Sequence, residues 1–160
     1  MKRPLIVGYG NPLREDDGIG LRAAELVELN LAPGVAQVVQ CHQLTPELAA
    51  YIQRASLAIF LDAAADRKPG AVSVTAVSGG EPSAWSHRLS PPQLLSLVDG
   101  APPAYWIICG VSRTGWREGL TLQGESSAAR MAAAALSLLP EHKQHGDVAT
   151  IHTMHPVPRP

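Results

Sequence analysis

The sequence predicts an α/β fold: a three-layer α/β/α sandwich around a twisted, mostly parallel five-stranded sheet. Three observations carry that expectation. Short, nearly pure runs of large aliphatic residues recur along the chain, as strands covered on both faces require. Segments with helical spacing and helix-start signals separate these runs. The 160 residues suffice for one well-buried core and are too few for two.

The elements follow in order. Arg3 to Gly8, built on Leu5-Ile6-Val7, reads as a buried first strand. Gly18 to Asn30 reads as a helix, with Ile19, Ala23, Leu26 and Val27 on one face. Pro33-Gly34 breaks the chain before a second strand, Val35 to Cys41. Thr45-Pro46-Glu47 supplies a cap, a proline at the first helical position and an early acid, opening a helix to about Arg54. Ser56 to Asp62 is a third strand, ending on Asp62 after the run Leu57-Ala58-Ile59-Phe60-Leu61. Ala71 to Val77 alternates and reads as a half-covered edge strand. Ser90-Pro91-Pro92-Gln93 repeats the start signal for a helix to Val98 that stops at Asp99-Gly100. Tyr105 to Val111 is a last buried strand, and Ser126 to Leu139 an Ala-rich closing helix. Residues 1–140 are thus expected to form a single domain. Residues 141–160 read as a loosely ordered Pro/His-rich tail, whose His142, His145, His152 and His155 have no assigned role.

Composition excludes several function classes. The chain is 46% hydrophobic and only 17% charged, with a net charge of −1 and no Lys/Arg run. A nucleic-acid or anionic-membrane surface is therefore not expected. No apolar stretch approaches the roughly 20 residues that span a bilayer, and Met1-Lys2-Arg3-Pro4 enters a strand directly, unlike a signal peptide. Cys41 and Cys109 sit in or at the end of apolar runs and read as buried thiols rather than a disulfide or metal pair. A reducing, cytoplasmic location is expected from them.

The chemistry concentrates in Gly8-Tyr9-Gly10-Asn11-Pro12-Leu13-Arg14-Glu15-Asp16-Asp17-Gly18-Ile19-Gly20. It starts like a phosphate-binding turn, but Leu13 stands where a dinucleotide motif needs its third glycine. Pro12 removes a donor, and the second strand ends Gln40-Cys41-His42 without the ribose-binding acid. Three acids fill the place where an anion would sit, so the loop suits a cation or a proton. Asp62 is expected beside Asp17 if the first and third strands are neighbours, because sites in open parallel sheets form at the carboxyl ends of strands. Asp62 capping a following turn is the plainer alternative. With His87, which precedes the third helix, Asp17 and Asp62 make an oxygen-and-nitrogen set suited to zinc or nickel with positions left open.

These residues resemble the hydrogenase maturation protease family, small endopeptidases that trim the C-terminus of the large subunit of nickel-containing hydrogenases. The pattern G-x-G-N-x-L-x-x-D-D-G-x-G matches Gly8 through Gly20. His42-Gln43-Leu44-Thr45-Pro46-Glu47-Leu48, Leu61-Asp62-Ala63 and Gly119-Leu120-Thr121 support it, and the likeness spans roughly residues 4–139. The resemblance implies a nickel site at Asp17, Asp62 and His87, the last chosen because Ser86-His87 is followed by Leu89, Leu94 and Leu95 at family spacings. It implies nickel presented by the substrate, with zinc or cadmium able to substitute in vitro. The implied partner is the hydrogenase large-subunit precursor with its C-terminal extension. Asp17 and Asp62 would carry the chemistry, and Asp16 would take a proton. The alternative is a non-proteolytic, metal-sensing chaperone or binding module for the same precursor.

Overall fold

The computed structural model describes residues 1–80, 88–112 and 115–140. Five strands, β1 (Arg3–Tyr9), β2 (Gln37–Cys41), β3 (Ala55–Ala64), β4 (Val72–Val77) and β5 (Ala104–Gly110), form one sheet in the order β2-β1-β3-β5-β4. All neighbours are parallel except the edge strand β4, which runs antiparallel to β5. The helices are α1 (Ile19–Leu29), α2 (Ala49–Gln53), α3 (Pro91–Leu95) and α4 (Leu122–Leu138).

Side-chain alternation along the strands creates two cores, one on each face. Ile6, Ile59, Leu61 and Ile107 face α1 and α4, packing with Ile19, Ala23, Val27, Met131 and Ala135. Leu5, Val7, Ala58 and Phe60 point the other way, against Leu48, Ile52, Leu94, Leu95 and Val98 around α2 and α3. The expected three-layer sandwich is therefore the fold. Because β1 leads through α1 to one side and β2 returns through α2 to the other, the chain reverses direction between β1 and β3. That reversal opens a crevice at their carboxyl ends.

Three helices depart from the sequence expectation. The helix read from Thr45 to Arg54 is a 3₁₀ turn, Pro46–Leu48, followed by α2, and the Thr45 side chain makes no capping bond. The capping box at α3 forms as expected between Ser90 and Gln93. Its α-helical part nevertheless ends at Leu95, and Leu97 and Val98 continue in tighter turns that bond back to Leu94 and Leu95. Helix α4 begins four residues earlier than Ser126, because Thr121 caps it by accepting from the Gly124 N–H. The expectation of two buried thiols holds for Cys109 only, since Cys41 is half-buried; both are free. Residues 141–160, with the four tail histidines, lie outside the described residues.

Candidate active site at the β1–β3 crevice

The glycine-and-acid loop is built by close approach. A Cβ at Gly20 would run into the Leu61 and Tyr9 carbonyls, and one at Gly8 into the Gly20 carbonyl and Ala24. Only glycine lets the start of α1 settle onto β1 and β3 this tightly. Gly10 adopts φ +150°, a conformation side chains disfavour, and donates its N–H to the Cys41 carbonyl on the neighbouring strand. Asn11 then organises the turn. Its Oδ1 accepts from the Leu13 N–H at 3.0 Å, and its own N–H donates to Asp17 Oδ2 at 2.9 Å. A 3₁₀ turn, Glu15–Gly18, connects the loop to α1.

Three residues per turn set consecutive side chains of a 3₁₀ helix about 120° apart. Asp16 and Asp17 accordingly face different parts of the molecule. Asp17 lines the crevice between β1 and β3. Asp16 is only 5% exposed and turns away toward α4. There it accepts from the Thr121 N–H at 2.9 Å and the Thr121 hydroxyl at 2.7 Å. Asp16 is thus a brace for the start of α4: both carboxylate oxygens are engaged by Thr121, and it does not line the crevice where a proton-accepting role was expected. Glu15 closes the other side of the loop. Held at φ +48°, it donates its N–H to the Arg117 carbonyl at 2.8 Å.

Asp62 lines the same crevice as Asp17. It does not end its strand, since β3 pairs with β5 through Ala64. Neither does it cap a helix. Its Oδ1 accepts from the Ala63 N–H at 2.8 Å and its Oδ2 from the Tyr9 hydroxyl at 2.9 Å. Burial is the main cause that raises the Asp62 pKa to about 6. The Asp17 charge adds to the rise, while the Tyr9 and Ala63 hydrogen bonds oppose it. Repulsion by the Asp17 charge is therefore present at Asp62, second to desolvation among the causes that raise it. Burial and the Asp62 charge together push the Tyr9 phenol far above its usual range, so it stays protonated.

The crevice has a volume of about 280 Å³ and is also lined by Tyr9, Arg14, His42, Arg88 and Trp106. Sequence reasoning assigned none of these five to the site. His42 directly follows β2, the neighbour of β1, and the strand-end rule that selected Asp62 would have found it. His87 lies outside the described residues, although its neighbour Arg88 borders the cavity. Among the described residues no group of three or more His, Cys, Asp or Glu side chains is placed to hold a metal ion. The site thus offers two carboxylates, one of them oriented by two donors, with room for a ligand between the walls. Such a hard, partial donor set fits a divalent cation whose remaining ligands come from elsewhere.

No protein-family model and no curated protein matches this chain. Its fold, however, matches solved structures. A nickel–iron hydrogenase maturation protease, HycI, from Thermococcus kodakarensis superposes with a TM-score of 0.67 at 21% identity, covering 84% of this chain and 90% of that one. The hydrogenase maturating endopeptidase HybD from Escherichia coli gives 0.65 at 22% identity, covering 87% and 93%. A hydrogenase 2 maturation peptidase from a Thaumarchaeota archaeon gives 0.63 at 20% identity, covering 87% and 99%. The fold of this chain is therefore the one on which these hydrogenase maturation proteases are built.

Proposed function

We propose that this protein is an endopeptidase that removes a short C-terminal extension from the nickel-loaded precursor of a hydrogenase large subunit. The observation that carries the proposal is the meeting of Asp17 and Asp62 in the crevice between β1 and β3. The glycine-and-acid pattern that delivers Asp17 supports it, as does a fold shared with proteins described as hydrogenase maturation proteases and endopeptidases.

The metal in this reading is part of the substrate. Asp17 and Asp62, with His87 as third ligand, would hold the nickel that the precursor carries, and zinc or cadmium would stand in for it in vitro. A divalent ion so placed would polarise a carbonyl or activate water. The chain's own contribution is orientation and charge. Asn11 and Tyr9 fix the two carboxylates. Asp62, with a pKa of about 6, is mostly ionised at pH 7 and close enough to neutrality to exchange a proton. With Asp16 engaged at α4, Asp17 and Asp62 remain as the reactive acids. Two free thiols suit a reducing compartment, so the cytoplasm is the proposed location. No helix among the described residues is long and apolar enough to cross a membrane.

The test is incubation with a nickel-loaded precursor, followed by mass spectrometry of the large subunit. Loss of a short C-terminal peptide, abolished in Asp17→Asn and Asp62→Asn, is the expected result. An unchanged mass with retained binding would instead identify a module that inspects the precursor without cutting it.

A further inference from the structure

We propose that Tyr9 is a positioning residue that fixes the Asp62 carboxylate for a divalent cation shared with Asp17, with the Trp106 indole held beside the pair as a reserve donor. This rests on the cation-holding part of the function proposed above. Tyr9 lies one residue beyond the Gly8–Leu61 pair that joins β1 to β3, so its ring runs alongside Asp62. Its hydroxyl donates to Oδ2 at 2.9 Å while the Ala63 N–H holds Oδ1 at 2.8 Å. With a donor on each oxygen, rotation of the carboxylate is blocked, and a lone pair on each remains for a cation.

Trp106 approaches from β5 on the other side of β3. Its Nε1 is sealed from solvent and meets no acceptor at hydrogen-bonding geometry among the described residues. Trp106 nevertheless lines the same crevice as Tyr9 and Asp62. A buried donor is costly to leave unmatched. On the β5 side of β3, opposite Tyr9, it is a second donor within the crevice that the Asp62 carboxylate shares. Donors of this kind, one bond removed from a metal, orient its ligands and govern affinity.

The test is calorimetric titration of the full-length protein with nickel and, separately, cadmium salts. Binding should be lost in Asp62→Asn and weakened roughly 10-fold in Tyr9→Phe, the usual scale for losing such a donor. Trp106→Phe should shift affinity in the same direction by a smaller factor, with the urea midpoints of both ring variants near that of the parent. Cation addition should also perturb the tyrosine band of the near-ultraviolet difference spectrum, and Tyr9→Phe should abolish that perturbation. Parent-like affinity in Tyr9→Phe overturns the proposal and leaves the peptidase reading intact. If the parent protein binds neither metal, the cation-holding role of Asp17 and Asp62 falls, and the positioning role falls with it. Should Tyr9→Phe not fold, Trp106→Phe decides, and unchanged affinity there overturns the proposal.

Discussion

Replacing Asp16 by alanine separates a structural brace from a catalytic acid. The carboxylate makes two short bonds to Thr121, at 2.9 and 2.7 Å, and Thr121 in turn accepts from Gly124 at 3.0 Å as the cap of α4. Hydrogen bonds to a charged group contribute about 1.5–3 kcal/mol each. A negative charge at a helix start adds roughly 0.3–1 kcal/mol. Against that gross value of about 3–7 kcal/mol stands the cost of keeping a carboxylate at 5% exposure, several kcal/mol even when it is well bonded. A net loss of about 3 kcal/mol is therefore expected for Asp16→Ala, and about 1–2 kcal/mol for Asp16→Asn, which keeps one acceptor. Urea unfolding at pH 7 measures both. Thr121→Val should be coupled to Asp16→Ala by about 1–3 kcal/mol in a double-mutant cycle, because the two groups touch. Folded Asp16→Asn should still process precursor within several-fold of the parent rate. Full stability in Asp16→Ala together with lost processing would refute this reasoning and return Asp16 to the chemistry.

Three further outcomes are expected. Gly124→Ala should destabilise by about 1–3 kcal/mol, since the new Cβ meets the Asp16 carboxylate; a parent-like thermal midpoint would show that the brace yields freely. Gly20→Ala should be costlier, because its Cβ meets the Leu61 and Tyr9 backbone carbonyls rather than a side chain. Displacing α1 should also weaken cation binding at Asp17, measurable in whatever fraction folds. Asp62→Asn should stabilise the metal-free protein at neutral pH. The Asp62 pKa is raised from 3.8 to about 6 in the fold, so the folded state holds the proton more tightly and stability falls as pH rises from about 4 to 6. Two units correspond to at most about 3 kcal/mol. The advantage of the asparagine variant should be full above pH 6 and vanish below pH 4 in urea titrations. A gain independent of pH would contradict it.

The parts of the fold legible in the sequence are those set by local chemistry. Leu5-Ile6-Val7 and the run from Leu57 to Leu61 lie buried as strands, because no other element of that length is apolar on all sides. Ser90 and Gln93 form their capping box wherever the chain places them. The start of α4 was not legible, because Gly124 reads as a helix breaker. Its reason for being glycine lies over a hundred residues away, in the Asp16 carboxylate packed against it. Tyr9 was hidden likewise. Read locally it is a large residue between two glycines, and only the β1–β3 register sets its hydroxyl on Asp62.

The three consecutive acids show why charge in a sequence locates a site but does not divide its roles. In the sequence Glu15, Asp16 and Asp17 read together as one negative patch suited to a cation. The 3₁₀ turn that carries them distributes them around its axis. One acid lies beside the Arg117 loop, one braces α4 and one enters the crevice. A phosphate-binding turn offers backbone N–H groups to its ligand. Here donors of the loop are consumed within it: the Asn11 N–H by Asp17 and the Leu13 N–H by the Asn11 side-chain oxygen. The loop thus supplies its own acceptors to its own donors, and what it presents to the crevice is an oriented carboxylate. Such a loop matches the cation proposed above rather than a phosphate, and Asp62, which lines the same crevice as Asp17, is the described acid that would share it.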